Sequence, residues 1–250
     1  MKSITKGLPL VAGDAFGAAL QACHRAGSRA GTTYAVFERD DGMLTVNDAV
    51  MYLSEHHSWP DIDYRAPLAA TGRVVDLGCG AGRHMLPLQQ RGLEVRGIDA
   101  SPGTVALARA LGVDADLADI SALPDELGTF DTFLLLGGNF GLLGSREGGH
   151  RVLATLIRLA RPGACLIGTA VNPYQLTDPA HQQYGDINTG AGRMFGQYRM
   201  RARYRNMVSD WFDQLLLSPE ELNELALSSG WTLSNVEEEG PMYMATLRLT

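Results

Sequence analysis

The clearest structural signal in this chain is the stretch Val74-Val75-Asp76-Leu77-Gly78-Cys79-Gly80-Ala81-Gly82-Arg83. Its β-branched start is typical of a buried strand, and its three glycines predict a turn without side-chain bulk. Asp99 follows 23 residues after Asp76, at the end of a second predicted strand. Backbone N–H groups that a ligand can approach closely, next to a carboxylate that can bind ribose hydroxyls, predict a nucleoside pocket at the carboxyl edge of a parallel sheet.

The glycine spacing distinguishes between two kinds of nucleoside. A dinucleotide site requires G-x-G-x-x-G, and counting from Gly78 the third glycine position is occupied by Arg83. The pattern Asp76-x-Gly78-x-Gly80-x-Gly82 instead resembles motif I of the class I S-adenosylmethionine-dependent methyltransferases. This resemblance covers residues from about 70 to 245 and implies S-adenosylmethionine as the cofactor.

Composition narrows the class of protein and of partner. The chain has 250 residues, 21 Lys and Arg against 28 Asp and Glu, and a formal net charge of −7. An acidic protein is a poor ligand for nucleic acid, so a small-molecule substrate is expected. Three widely spaced cysteines and no apolar run of about 20 residues favour a cytoplasmic protein without a membrane span. A monomer or a homodimer is expected.

Strand and helix patterns alternate from Arg73 onward, which predicts an α/β protein with a parallel sheet. The resemblance implies a Rossmann-like sheet of seven strands, mostly parallel, with the last strand antiparallel. Strands are predicted at 73–77, 94–98, 113–117, 130–136, 164–170, 232–238 and 243–249, and helices at 82–91, 102–111, 146–160 and 219–229.

Two segments lie outside this alternation. Residues 1–69 predict an N-terminal helical cap, with one helix after Asp14 and a second helical stretch from Asn47 to Ser54. The core at 70–250 contains an insertion at 172–217, where polar and apolar residues alternate from Gln197 to Asn206. That alternation predicts an inserted β-hairpin that lines the substrate cleft.

The resemblance assigns cofactor contacts to individual positions. Asp76 would bind the methionine amino group, Asp99 both ribose hydroxyls, and Asp119 the adenine amino group. Asp116 is an alternative to Asp119, and Asp119 could also be an ordinary helix cap. The full set of predicted cofactor residues is Asp76, Gly78, Gly80, Asp99, Ala100, Asp119, Ile120, Leu136 and Gly137.

The stretch from Phe130 to Gly141 resembles motif IV, where Asn139 would offer a neutral amide near the transferred methyl group. Metal-dependent catechol-type relatives carry carboxylates at this strand end, and their lack here predicts no metal. Asn172-Pro173-Tyr174 has one proline fewer than the N-P-P-Y signature, so it predicts only pocket-lining residues. The candidate substrate residues are Asn139, Tyr34, Tyr52, Asn172, Tyr174 and Arg203, the last being either a substrate anchor or part of a solvated strand face.

Candidate general bases are His56, His57, His181 and Tyr204, although a loop histidine is commonly just solvated. The sequence as a whole predicts methyl transfer to an O, N or C nucleophile of a small metabolite, in secondary metabolism. The alternative is a methyltransferase fold that catalyses a cyclisation, elimination or rearrangement, with the cofactor as a structural ligand.

Overall fold

The computed structural model describes residues 9–55 and 58–249, which form two β-sheets and seven α-helices. The strands are β1 (Val11–Ala12), β2 (Tyr34–Arg39), β3 (Leu44–Asp48), β4 (Val74–Leu77), β5 (Val95–Asp99), β6 (Ala115–Leu117), β7 (Phe130–Leu135), β8 (Ala160–Val171), β9 (Gln197–Tyr204), β10 (Met207–Val208), β11 (Phe212–Leu215), β12 (Trp231–Glu239) and β13 (Met242–Leu249). The helices are α1 (Ala15–Arg25), α2 (Asp61–Arg65), α3 (Met85–Gln90), α4 (Pro102–Ala110), α5 (Arg146–Arg158), α6 (Pro179–Gly190) and α7 (Pro219–Leu227).

The main sheet has seven strands in the order β12-β13-β8-β7-β4-β5-β6. Strands β4 to β8 pair in parallel, whereas β13 runs antiparallel to both β8 and β12. All four residues of β4 are buried, as expected for a central strand covered on both faces. The predicted fold class, a mostly parallel sheet with an antiparallel last strand, is therefore confirmed.

Local capping signals place the helix starts correctly. Ser101 accepts a hydrogen bond from the N–H of Thr104 at the start of α4, and Ser218 forms a capping box with Glu221 at the start of α7. Helix α3 begins at Met85, three residues later than predicted. The delay has a backbone cause, since Gly80 and Gly82 have φ angles of +56° and +85°, which a right-handed helix cannot include.

The second sheet joins the N-terminal segment to the insertion. Its strand order is β1-β10-β9-β2-β3, and β11 pairs with β9 on the same edge as β10, opposite β2. Strand β2 pairs antiparallel with β9, with Val36 opposite Arg203. The insertion therefore forms more than the predicted hairpin, because its long strand β9 also pairs with β2 of the N-terminal segment. The N-terminal segment in turn contains strands as well as helices.

The helical stretch predicted at Asn47 to Ser54 is wrong in its first part. Residues 44–48 form β3, and the helical turn that follows spans only Ala49–Tyr52. Pairing with β2 overrides the local helical spacing there. Helix α6 was not predicted, because its sequence PAHQQYGDINTG is polar and contains two glycines.

The two faces of the second sheet differ in chemistry. On β9, Tyr198 and Met200 are buried, and Phe37 and Tyr184 pack in the same cluster. On the opposite face, Arg201 and Arg203 both donate hydrogen bonds to Glu38 Oε2, at 2.8 and 3.1 Å. We call these two sides the inner and the outer face.

Helix α1 connects this inner face to the main sheet. Phe16 of α1 packs its ring against Phe37 and against Tyr52, with centroids 5.8 and 5.0 Å apart. At the start of α1, Asp14 also binds the beginning of α4. Within residues 9–55 and 58–249, no helix is long and apolar enough to cross a membrane.

Candidate active site

The glycine turn after β4 combines close packing with one open position. A Cβ on Gly78 would lie 2.5 Å from Leu142 Cδ1, and one on Gly82 would lie 2.8 Å from the methyl groups of Val113. A Cβ on Gly80 would meet no described atom within 4 Å. Gly78 and Gly82 are therefore needed for packing, whereas Gly80 leaves space that a ligand can use.

Asp76 lies fully buried beneath this turn, and neither of its carboxylate oxygens has a hydrogen-bond partner among the described residues. Burial raises the pKa of Asp76 to about 7; the Asp99 charge adds to this rise and the Arg83 guanidinium opposes it. His84 Nδ1 is 3.9 Å from Asp76 Oδ2. A buried carboxylate without a donor is costly, so this position calls for a ligand that brings one.

Asp99 ends β5 beside the same turn. Its Oδ2 accepts a hydrogen bond from the N–H of Gly80 at 2.8 Å, and its Oδ1 accepts from Ser101 N–H and Thr104 Oγ1 at 2.8 and 2.9 Å. Burial raises the pKa of Asp99, and these hydrogen bonds oppose the rise. The structure thus brings Asp76, Gly80 and Asp99 together, with Ala100 exposed next to them. Ribose binding by Asp99 stays a prediction.

The predicted adenine contacts follow β6. The N–H of Ala118 donates to the carbonyl oxygen of Asp99, which places this segment next to the end of β5. Asp119 is exposed, and its Oδ1 accepts from the backbone N–H and the hydroxyl of Ser121, both at 2.8 Å. It acts as a cap, as the alternative interpretation proposed, and adenine binding is untested. Ile120 is half-buried against the core, and Asp116 pairs with Arg96.

The residues after β7 meet the glycine turn. Leu136 is buried, and Gly137 is exposed with a φ of +70°. The side-chain amide of Asn139 donates to the carbonyl oxygens of Leu77 and Gly78, at 3.0 and 2.9 Å. Asn139 therefore holds two strand ends together, and only its Oδ1 is left for the predicted substrate contact.

Three further residues were not predicted. Arg83 Nη2 is 3.5 Å from Asp63 Oδ2, and the Arg83 guanidinium lies 5.1 Å from the ring centroid of Trp59. All three side chains are buried or nearly so. The position of Arg83 directly after Gly82 was a usable signal. The sequence around Asp63 carries no such signal, because the contact of Asp63 with Arg83 depends on how the cap packs against the glycine turn.

The other predicted substrate residues are engaged within the protein. Tyr52 Oη accepts a hydrogen bond from Asn47, and Asn172 caps the turn at Pro173–Gln175. Tyr174 donates to Glu221 and stacks on Phe195. Arg203 lies on the outer face with Glu38, which matches the solvated-face interpretation. Tyr34 is exposed on β2, on the same outer face.

The candidate bases fall in different places. His181 lies over the inner face, where its Nδ1 is 2.8 Å from Tyr198 Oη and 3.2 Å from Arg39 Nη1. Burial and the Arg39 charge lower the pKa of His181, which favours its neutral ring. Tyr204 is half-buried at the end of β9. His56 and His57 lie outside the described residues.

The residues at this edge fit S-adenosylmethionine. The carboxylate of Asp76, which lacks a hydrogen-bond donor within residues 9–55 and 58–249, suits its ammonium group, and the open space at Gly80 admits a ligand next to Asp99. No group of three or more His, Cys, Asp or Glu side chains in the described ranges could hold a metal ion.

Known proteins with similar sequences are methyltransferases. Residues 74–163 match the family described as "Methyltransferase domain". The chain is 35% identical over 148 residues to trans-aconitate 2-methyltransferase of Methylobacterium nodulans, covering 54% of this chain and 53% of the relative. It is 26% identical over 171 residues to demethylmenaquinone methyltransferase of Renibacterium salmoninarum, covering 67% of this chain and 65% of the relative. The chain therefore matches between about half and two thirds of the length of these relatives.

A solved structure matches the whole architecture. The S-adenosylmethionine-dependent methyltransferase from Bacteroides fragilis, in complex with S-adenosyl-L-homocysteine, has a TM-score of 0.78 to this chain. The match covers 96% of this chain and 98% of that chain, at 25% identity. With the strand order and the glycine turn described above, these similarities show the fold of the class I S-adenosylmethionine-dependent methyltransferases and support placing the chain among them.

Proposed function

We propose that this protein transfers the methyl group of S-adenosylmethionine to a small-molecule acceptor. The observation that carries the proposal is the fully buried carboxylate of Asp76, which accepts no hydrogen bond from the residues that the structure describes, next to the open position at Gly80. The two curated relatives named above support a small acceptor, because their names specify trans-aconitate and demethylmenaquinone as substrates.

The reaction is an in-line displacement, so the protein's tasks are alignment and exclusion of water. The cofactor supplies a methyl group on a positively charged sulfur. Asp76 would bind the ammonium group and Asp99 the ribose hydroxyls, while Asn139 fixes the end of β4, the strand that carries Asp76, against the turn after β7. No dedicated base is needed for an amine acceptor, whereas a hydroxyl acceptor needs a proton acceptor.

The second sheet supports an acceptor with an apolar body. Strand β11 reaches the turn after β7, where a Cβ on Gly141 would lie 2.9 Å from Gln214 Cγ. Phe212 shares the inner face with Met200 and remains 37% exposed, and Leu142 in the neighbouring turn is 39% exposed. Apolar side chains left in solvent near a ligand site favour apolar ligand surface.

The test combines turnover with binding. Purified protein is incubated with methyl-labelled S-adenosylmethionine and a panel of carboxylic acids, phenols and amines that includes trans-aconitate, and labelled product is measured. We expect one acceptor class to be labelled. In calorimetry, Asp99→Ala should weaken S-adenosylhomocysteine binding by about tenfold or more, as expected for lost hydrogen bonds to a charged group.

Asp131→Ala is the matched control, because Asp131 is a partly exposed carboxylate near the start of β7, at the opposite edge of the sheet from the glycine turn, where it pairs with Arg161. Its affinity for S-adenosylhomocysteine should equal that of the wild type. If the wild type binds no S-adenosylhomocysteine, the proposal fails. Binding without label transfer to any acceptor would favour the non-methylating alternative.

A further inference from the structure

Two buried carboxylates lie near the Arg83 guanidinium beside the glycine turn, one in contact with it and one acting on it through its charge. Asp76 belongs to β4, Asp63 to α2 of the cap, and Arg83 to the turn. We propose that Arg83 is the receptor for the carboxylate of the cofactor's amino-acid end, and that Asp63 holds its guanidinium in place until the cofactor binds. This inference rests on the proposed function and assigns a role to residues outside the predicted cofactor set.

The position of the guanidinium supports this role. A Cβ on Gly137, after β7, would lie 3.1 Å from Arg83 Nη2, so the guanidinium lies at the end of that strand. It also donates from Nη1 to the carbonyl oxygen of Met51 at 3.1 Å. Because β4 and β7 are adjacent and parallel, Arg83 and Asp76 lie at the same edge of the sheet.

The present pairing of Arg83 is loose. The 3.5 Å between Arg83 Nη2 and Asp63 Oδ2 exceeds the usual length of a charged hydrogen bond, about 2.7 to 2.9 Å. Asp63 has other donors, since the N–H of Gly137 and the hydroxyl of Thr169 both point to its carboxylate. Asp63 therefore stays partly satisfied when Arg83 turns away, and Arg83 gains a bidentate partner.

The charges match the ligand from end to end. The amino-acid end of the cofactor carries one ammonium and one carboxylate on the same carbon atom. Asp76 offers a carboxylate without a hydrogen-bond donor among the described residues for the first, and Arg83 a cation for the second. A ligand that has the adenosine part but no amino-acid end should not use Arg83 at all.

This difference defines the experiment. Binding of S-adenosylhomocysteine and of 5′-deoxy-5′-methylthioadenosine, which lacks the amino acid, is measured by calorimetry on the wild type, Arg83→Gln and Arg83→Lys. We expect Arg83→Gln to weaken S-adenosylhomocysteine binding by about 10- to 100-fold, the effect of a lost charged hydrogen-bond pair. Binding of methylthioadenosine should change by no more than about twofold, and Arg83→Lys should retain part of the affinity because it keeps the charge.

Arg91→Gln is the matched control. Its guanidinium also ties the N-terminal segment to the end of α3, through hydrogen bonds to the carbonyl oxygens of Pro67 and Ala70. It should not separate the two ligands. Equal losses for both ligands in Arg83→Gln, or no loss for either, would overturn the role of Arg83 while leaving the proposed function intact. A wild type that binds neither ligand would overturn both.

Discussion

At the level of single residues, the burial of Asp76 lowers the stability of the empty protein at high pH, while its charge serves ligand binding. Its pKa of about 7 in the folded protein exceeds the usual 3.8, so the folded state holds more protons than the unfolded state between those values. Stability from this group is fully present below about pH 4 and is lost as pH rises through 7. The loss corresponds to roughly 4 kcal/mol at most.

Asp76→Asn should therefore stabilise the empty protein above pH 7 by about 2 to 4 kcal/mol and change little at pH 4. Urea unfolding at both values measures the difference. The same variant should bind S-adenosylhomocysteine more weakly, because the amide cannot neutralise the ammonium group. If Asp76→Asn and the wild type are equally stable at pH 8, then structural relaxation or water supplies hydrogen bonds to Asp76 in solution.

A pH series adds a second readout at the same residue. Because the ammonium group requires the ionised carboxylate, wild-type affinity for S-adenosylhomocysteine should rise between pH 6 and 8. Asp76→Asn should flatten that rise. A rise that persists in the variant would assign it to another group at this edge, and His84, 3.9 Å from Asp76, would be examined first.

Gly80 is the second residue whose role can be isolated. Its φ of +56° strains any L side chain, and the space beside it is open. Gly80→Ala should cost about 1 kcal/mol in unfolding free energy and also reduce S-adenosylhomocysteine affinity, since the methyl group enters ligand space. Gly112→Ala is the matched control, with a φ of +84° and equally open surroundings after α4. Gly112→Ala should lower the unfolding free energy by a similar amount without affecting S-adenosylhomocysteine binding. Equal losses of affinity in the two variants would show that the effect of Gly80→Ala on binding is global.

At the level of elements, helix caps also carry tertiary contacts. Asp14 Oδ1 accepts from Gly17 N–H, while its Oδ2 accepts from Ser101 Oγ and Gly103 N–H, both at 2.7 Å. Asp14 was predicted as a cap of α1, and the structure confirms this. Its additional bonds to the start of α4 were not predicted, because they depend on how two helices 87 residues apart pack.

Asp14→Ala should therefore destabilise the protein by about 2 to 3 kcal/mol, more than an ordinary cap. Asp178→Ala provides the comparison, since Asp178 caps α6 through one bond to the N–H of Ala180 and should cost about 1 kcal/mol. Urea unfolding measures both. Equal costs would show that the contacts to α4 contribute nothing net.

At the level of the whole molecule, one buried arginine joins the cap to the insertion. Arg39 on β2 is 2% exposed; it binds Asp41 and the carbonyl oxygen of Ala180, and its guanidinium lies 4.1 Å from the Tyr184 ring centroid. These contacts link residues about 140 positions apart. The cap and the insertion should accordingly lose their structure together.

Arg39→Met should lower unfolding free energy by about 2 to 4 kcal/mol, because it breaks a buried polar network. Hydrogen exchange should speed up in β2, β9 and α6 together, with β4 and β7 unchanged. Arg161→Met, which removes a half-exposed partner of Asp131, should cost about 0 to 1 kcal/mol. Faster exchange confined to β2 would contradict cooperative unfolding of the second sheet.

The sequence by itself determined the features that depend on near neighbours along the chain. The strand and glycine turn at 74–83, the carboxylate at Asp99 and the helix caps all depend on backbone conformation and on contacts within about 25 residues, which residue type and spacing report directly. The resemblance to a known family added a main sheet of seven strands, mostly parallel, with the last strand antiparallel.

Only the tertiary structure decided which distant residues meet. The pairing of β2 with β9, the burial of Arg39, and the meeting of Asp63 with Arg83 depend on surfaces that come together after folding. Periodicity shows which face of a strand is apolar, but not which strand lies beside it, because pairing energy depends on the partner as much as on the strand itself. For the same reason, the arginines of β9 could not be assigned from sequence until Glu38 was found opposite them.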